Sequence, residues 1–264
     1  MSIPQKIHYC WFGRNPLPKL AQKCIKSWRK YCPDYEIIEW NEDNYDLSAA
    51  PLYVRQAYEA KKWAFVTDYV RLQVVYDHGG IYLDTDVELI KRLDSLLKSD
   101  AYFGLEDGKH IATGLGFGAI KGAPILQELM EDYRHIPFVM PDGSYDTKTC
   151  PVRNTEVFLR HGLRQDDSRQ ILDGDILILP SVYLCPISYF TGDRKRNLKT
   201  VSIHWFSASW QTEEQRAKAK QMNKEMQEIK RRGAVNDFLH IPHRIALKLL
   251  GETRYEELKK RFKK

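Results

Sequence analysis

The sequence predicts an α/β protein with a mostly parallel central sheet flanked by helices, and three observations carry that prediction. The chain opens strand, helix, strand, with each strand ending in a polar turn. Short apolar strands then alternate with segments of helical periodicity over most of the chain. Finally, residues 63–88, WAFVTDYVRLQVVYDHGGIYLDTDVE, read as a helix stopped by a glycine pair and followed at once by a strand that delivers two carboxylates.

Taken in order, residues 6–13 (KIHYCWFG) form a strand and a turn marked by Gly13, Pro16 and Pro18. A helix over 19–31 places Leu20, Cys24, Ile25 and Trp28 on one face, and Tyr35 to Trp40 make a second strand that ends in Asn41, Glu42, Asp43 and Asn44. Residues 52–62 form a short helix leading into the central one. There Val66, Val70 and Val74 recur at helical spacing beside Tyr69, Leu72 and Tyr76, which predicts one buried flank. Asp68 and Arg71 lie three apart on the other flank, close enough to pair. Gly79 and Gly80 supply the backbone that ends the helix, and Ile81, Tyr82 and Leu83 make a strand carrying Asp84 and Asp86 out at its end.

Beyond Asp86 the pattern gives Val87 to Ile90, a helical or loop piece at 93–98, a strand from Ala101 to Leu105, and ATGLGFGAIKGAP at 112–124. These alternating glycines do not open a helix straight after a strand, as a dinucleotide fingerprint requires. They read as an extended segment that lets a ligand or another backbone come close. A helix at 124–134, a turn-rich loop at 137–151 that is the candidate lid, a helix at 152–162 and a hairpin at 170–179 around Asp173-Gly174 follow. The last strand is TVSIHWF at 200–206, succeeded by a charged helix from 212, a break near Gly233 and a second helix.

With 264 residues the chain suits one large domain. The division expected is a catalytic domain over 1–211 and a basic helical extension over 212–264. Of the charged residues, the extension holds 15 Lys and Arg against 8 Asp and Glu, a net of +7, and the rest of the chain holds 26 against 27. That excess fits either solvated helices or an anionic membrane surface. It lacks the interleaved aromatics and the recognition motif of a nucleic-acid binder, so no nucleic acid is expected. Apolar and charged fractions of 43% and 29% are those of a soluble protein, and aromatics at 12% suit a cleft that stacks on rings. With no basic-then-apolar leader and no run approaching the ~20 apolar residues of a membrane span, the expected location is cytoplasmic, with peripheral attachment through the tail. Cys10, Cys24, Cys32, Cys150 and Cys185 are odd in number and scattered, which predicts reduced, mostly buried thiols.

Asp-x-Asp alone is a weak signal, and Asp173-Gly174-Asp175 has the form of a hairpin turn. Asp84-Thr85-Asp86 differs because an apolar strand puts it at the carboxyl end of the sheet, where α/β proteins bind ligands. Two such carboxylates need a compensating cation, and hard oxygen ligands suit Mg²⁺ or Mn²⁺.

The motifs W-A-x-x-x-D-x-x-R at 63–71, G-G-I-Y-L-D-T-D at 79–86 and W-F-G after the first strand occur together and in order. As a set they resemble the DXD-containing sugar-nucleotide glycosyltransferases of glycosyltransferase family 32, and more distantly the catalytic domain of the large clostridial glucosylating toxins, from about residue 3 to Trp210. The resemblance implies a GT-A-type domain and assigns roles by matching position. Trp11 matches the tryptophan that stacks on the nucleotide base, and Asn41 a base or ribose contact. Asp68 and Arg71, with Thr67 beside them, match the pair that binds donor-sugar hydroxyls and holds the diphosphate. Tyr82 and Asp84 match ribose and sugar contacts, and Asp86 the direct metal ligand, with Asp84 in the same shell. Thr113-Gly114 stands where many relatives carry Asn-Gly. In H-W-F-S-A-S-W the candidates to complete the metal shell are His204, Ser207 and Ser209, and Trp210 matches the residue that hydrogen-bonds the departing phosphate.

The activity so implied is Mn²⁺- or Mg²⁺-dependent, retaining transfer of a hexose, from a UDP-hexose by preference, to a hydroxyl of a saccharide or lipid-linked oligosaccharide in surface polysaccharide synthesis. Bland readings stand beside these. Trp11 also suits a core position, Asp68 and Arg71 a structural ion pair, His204 a satisfied core histidine and Trp210 an anchor for the tail. Rival functions are a haloacid-dehalogenase-like phosphohydrolase, since LDTDV spells its nucleophile motif without the expected second acid pair downstream, and a sugar-nucleotide-binding protein without turnover.

Overall fold

A computed structural model describes residues 2–188 and 192–207, together with Gln221, Lys224, Glu225 and Glu228. The chain divides into two compact units, Met1–Tyr189 with Asp193–Trp210, and Phe190–Gly192 with Gln211–Lys264. The expected helices of the basic extension lie outside the described residues, apart from those four positions.

In the first unit the elements run β1 (Lys6–Cys10), α1 (Lys19–Tyr31), β2 (Glu36–Trp40), α2 (Leu52–Glu59), α3 (Trp63–His78), β3 (Gly80–Tyr82) and β4 (Val87–Leu89). They continue with β5 (Ala101–Gly104), β6 (Phe117–Ala119), α4 (Pro124–Arg134), α5 (Cys150–Arg160), β7 (Gln170–Leu172), β8 (Ile176–Leu179), α6 (Ser181–Leu184) and β9 (Ser202–His204). Seven strands form one sheet in the order β2-β1-β3-β6-β5-β8-β7. Strands β2, β1 and β3 are mutually parallel, as are β5 and β8, and β6 runs antiparallel between β3 and β5 so that all five point the same way. The mostly parallel sheet is therefore as predicted, with β6 and β7 reversed. Strand β7 pairs with β8 across the Asp173-Gly174 turn, the expected hairpin.

Alternation along the strands sends side chains to two apolar layers. Ile81 and Leu83 join Ile7, Ile25, Trp28 and Leu179 on the α1 side, while Tyr82 joins Val66, Val70, Phe103 and Phe117 on the side of α2 to α5. Lying between this second layer and helices α2 and α4, α3 is buried on both flanks. The sequence predicted one buried flank. Asp68 and Arg71 are buried as well, because the face they occupy is covered rather than solvated.

The stop after α3 is enforced by space as well as by backbone. Gly79 has φ 65° and Gly80 φ 117°, and a Cβ at these positions would sit 2.8 Å from the Lys121 nitrogen and 2.9 Å from the Lys6 carbonyl oxygen. No other residue fits. The glycine-rich stretch differs from expectation: Thr113–Leu115 is a single 3₁₀ turn, and only from Phe117 does the chain become a strand. The close approach read from the glycines is nonetheless present, since a Cβ on Gly118 would meet the Tyr102 ring at 2.5 Å. All five cysteines are free, four of them buried and Cys150 partly so.

A second, two-stranded sheet pairs β4 with β9 antiparallel, Val87 opposite His204 and Leu89 opposite Ser202. It is shorter than the strand expected over 200–206. Its register brings a distant segment beside the end of β3.

Candidate active site

The carboxyl ends of β1, β2, β3 and β5 share one edge of the large sheet, so Trp11, Asn41, Asp84 and Glu106 all emerge there. Around Asp84 the polar groups interlock. Arg71 holds Asp68 Oδ1 at 3.1 Å through Nη2, one helical turn away, and Asp84 Oδ1 at 3.5 Å. Its Nε donates to the Thr67 carbonyl at 2.9 Å and its Nη2 to the Thr67 hydroxyl at 3.1 Å, which fixes the guanidinium across the helix. The Tyr82 hydroxyl donates to Asp84 Oδ1 at 2.8 Å, and the guanidinium lies 5.1 Å from the centre of the Tyr82 ring. Gly114 closes this group: a Cβ there would stand 2.6 Å from Asp84 Oδ2 and 3.1 Å from Arg71 Nη1.

The other half forms on the small sheet. Because Val87 faces His204, the His204 ring reaches back to Asp86, with Nε2 3.1 Å from Oδ1. The backbone N–H of Trp205 donates to the Asp86 carbonyl at 3.1 Å and that of Ser207 to Asp86 Oδ2 at 2.8 Å. Asp84, Asp86 and His204 each present one ligand atom, and the three lie within 4.8 Å of one another. Of the three candidates to complete this shell, His204 is thus at the cluster, Ser207 reaches it through its backbone, and Ser209 lies outside the described residues with Trp210.

Burial governs the titration of the group. It raises the Asp68 and Asp84 carboxyls above the usual range, with the Arg71 charge working against it. Burial opposes the charge on Arg71 too, but Asp84, Tyr82 and Asp68 hold the guanidinium firmly protonated. Asp86 differs: against the same burial, the His204 charge and the hydrogen bonds from His204 and Ser207 hold it well below the ordinary carboxylate range. His204 is raised in return, since Asp86 and Asp84 outweigh its burial. A diphosphate brought beside the Asp84 and Asp86 carboxylates needs a further cation. Two carboxylates and an imidazole are a donor set that fits Mn²⁺, and the carboxylates also suit Mg²⁺. The buried His204 Nδ1 has no partner among the described residues.

The remaining expected positions are less tightly gathered. Trp11 is partly buried beyond β1, and its indole N–H donates to the Asn15 carbonyl at 2.6 Å. Asn41 braces its own turn, accepting from the Asp43 N–H at 2.8 Å and donating to Glu39 Oε1 at 2.9 Å. Thr113 is fully buried and accepts a hydrogen bond from Asn154 Nδ2 at 3.1 Å. Asn154 is a neighbour that sequence reading missed, as is Glu106, whose carboxyl is raised by burial, with the nearby His204 charge opposing. The rule that singled out Asp84, an acid at the end of a sheet strand, also fits Glu106 after β5.

Among known proteins, residues 18–103 match the family described as "Glycosyltransferase sugar-binding region containing DXD motif". The chain is 29% identical over 141 residues to inositol phosphoceramide mannosyltransferase 3 of Schizosaccharomyces pombe, covering 52% of this chain and 39% of that protein. It is 26% identical over 163 residues to mannosyl phosphorylinositol ceramide synthase CSH1 of Saccharomyces cerevisiae, covering 54% and 40%. The match thus spans about four tenths of the length of these relatives. Among solved structures, the PaToxG glycosyltransferase aligns with a TM-score of 0.48 at 18% identity, over 60% of this chain and 69% of that one. A glycosyltransferase involved in the glycosylation of the major capsid of PBCV-1 aligns at 0.44 and 15%, over 76% and 94%.

Proposed function

We propose, from the match of residues 18–103 to the glycosyltransferase sugar-binding regions that contain a DXD motif, that this chain transfers a hexose from a nucleotide sugar to a hydroxyl acceptor, with retention of configuration. The observation that carries the reading is the convergence of Asp84, Asp86 and His204 on one point beside the Asp68–Arg71 pair. Residues 1–211 act as a GT-A-type catalytic domain and 212–264 as a basic extension.

In this reading Trp11 and Asn41 receive the nucleoside at the ends of β1 and β2. Asp68 accepts hydrogen bonds from donor-sugar hydroxyls, and Thr67 holds the Arg71 guanidinium in place toward the diphosphate. Asp84 is oriented by the Tyr82 hydroxyl and kept close by Gly114. Asp86, with Asp84 and His204, would hold a divalent cation, Mn²⁺ or Mg²⁺, which would supply positive charge against the diphosphate. As the glycosidic bond breaks, negative charge grows on the β-phosphate, and the fixed guanidinium of Arg71 stabilises it without having to reorganise. The acceptor hydroxyl approaches the face the phosphate leaves, and that phosphate takes its proton, so the chain needs no separate base. Burial of Asp68, Arg71 and Asp86 keeps water from competing for the sugar.

A UDP-hexose remains the favoured donor from the resemblance, while the mannosyltransferase names of the relatives support testing mannose beside it. For the acceptor those names support an inositol phosphoceramide-like lipid headgroup, beside the saccharide or lipid-linked oligosaccharide of surface polysaccharide synthesis. Either lipid acceptor suits a cytoplasmic, peripheral enzyme whose +7 extension meets an anionic membrane, at about 1 kcal/mol per basic residue near the surface. No helix among the described residues is long and apolar enough to cross a membrane.

The test is slow donor hydrolysis with Mn²⁺ across UDP- and GDP-hexoses, measuring released nucleoside diphosphate. Metal-dependent release from one donor, absent in Asp86→Ala, is the expected result. Turnover of a generic phosphate ester with silence across the sugar nucleotides would replace the reading with a phosphohydrolase.

A further inference from the structure

Asp68 also borders a second group of buried polar side chains, drawn from three helices. Tyr53 of α2, Tyr133 of α4 and Arg153 of α5 are 0%, 1% and 5% exposed. The two tyrosine rings meet edge to face with centroids 5.1 Å apart, and the Arg153 guanidinium lies 5.9 Å and 5.5 Å from their centres. Both phenols feel the Asp68 charge, and Asp68 feels Arg153. Arg153 spends its terminal nitrogens on Asp132, at 2.7 Å, and on Asp146. Its Nε, the Tyr53 hydroxyl and the Tyr133 hydroxyl are buried without a hydrogen-bond partner among the described residues.

A buried polar atom left unpaired is destabilising, and native proteins retain few of them. Three in one cluster, against a carboxylate that faces the site, call for a ligand. Its chemistry follows from the groups present. A carboxylate only accepts, a guanidinium N–H only donates, and a phenol does either. An anion would be repelled by Asp68 and a cation by Arg153. A neutral hydroxyl, which gives one hydrogen bond and takes two, can meet three of these four groups at once.

We propose that Tyr53, Tyr133 and Arg153 form, with Asp68, the pocket for a hydroxyl oxygen of the transferred hexose. The inference rests on the nucleotide-sugar reading and adds to it a residue set that selects the sugar rather than the nucleotide. A site built to hydrogen-bond a hydroxyl discriminates through the polar groups left unpaired when that hydroxyl is missing.

The experiment compares melting temperatures of the full chain and its Tyr53→Phe and Tyr133→Phe variants in Mn²⁺, alone and with UDP, GDP, UDP-glucose, UDP-galactose or GDP-mannose. One sugar nucleotide is expected to raise the wild-type Tm beyond its own nucleoside diphosphate. Each variant should lose that sugar-dependent increment, keep the nucleotide-dependent one, and melt about 2–4 °C higher without ligand because an unpaired hydroxyl is gone. Tyr45→Phe, whose hydroxyl already donates to Gln73 at 2.6 Å, should keep the increment and melt lower. An increment that survives in both pocket variants overturns the proposal. If those variants also melt lower without ligand, the cluster holds a resident water instead. A wild-type Tm that the sugar never raises beyond the nucleotide overturns it too. No response to any nucleotide would defeat the nucleotide-sugar reading itself, and this inference with it.

Discussion

The two carboxylates of the D-x-D motif sit two residues apart and are held by two different sheets. Asp84 ends a strand of the large sheet and is bound by its near neighbours, Tyr82 two residues before it and Arg71 on the preceding helix. Asp86 lies in the turn just before the small sheet, and its partners arrive on and just after β9, with the Ser207 N–H reaching it across 121 positions. The first half is a local arrangement stabilised by burial in the main core, while the second depends on one three-residue ladder. Donor binding and metal binding should therefore fail separately.

The largest separation is expected from Asp86→Ala. It should lower metal-dependent donor turnover by about 10²–10³-fold or more, the scale on which one electrostatic contributor to the transition state acts. The fold should survive, because Asp86 lies in a turn outside the large sheet; unchanged Mn²⁺ dependence in the variant would break the comparison. Arg71→Ala should show the converse. It leaves Asp68 and Asp84 near each other in the core without their cation, and removing one partner of a buried ion pair costs about 3–5 kcal/mol. A urea titration checks this, and a loss below about 1 kcal/mol would mean the pair is solvated.

Two histidines sharpen the same contrast. In the large sheet His8 pairs Nε2 with the Gly79 carbonyl at 2.9 Å, and its Nδ1 accepts the Trp40 indole N–H at 3.0 Å. That arrangement requires the neutral ring, and burial lowers its pKa to about 4. In the unfolded chain the ring takes a proton near 6.5, so its contribution is complete above that pH and is lost as pH falls through 4. The loss is on the order of 3 kcal/mol. The stability gap between wild type and His8→Gln in urea should shrink correspondingly from pH 7 to 4; a gap independent of pH would show that the ring titrates normally. His204, in the small sheet, is shifted the opposite way by Asp86. The smallest effect expected is Asn154→Ala. It removes one buried hydrogen bond to Thr113, worth about 1–2 kcal/mol, and should raise the donor KM more than it lowers kcat, since Thr113 leads into Gly114 at Asp84.

What the sequence disclosed follows the same division. Helical spacing placed Asp68 beside Arg71, the glycine pair marked the end of α3, and an apolar run pointed Asp84 outward; each depends on a few adjacent residues. His204 was one of three open choices because no spacing rule connects β9 to β4. Burial of the second flank of α3 was missed because its cover comes from α2 and α4, whose packing no local pattern records. Tyr53, Tyr133 and Arg153 each read as ordinary members of their own helices, and only the tertiary arrangement packs the two rings and the guanidinium together. Glu106, the acid that follows β5, was readable by the rule that found Asp84.

The pairing of β4 with β9 also sets a timetable for synthesis. A nascent chain that has left the ribosome as far as Asp86 already owns Asp68, Arg71 and Asp84, but it must wait for His204 to emerge before the cluster of two carboxylates and an imidazole exists. A chain cut short before β9 would carry Asp68, Arg71 and Asp84 without the cluster of two carboxylates and an imidazole.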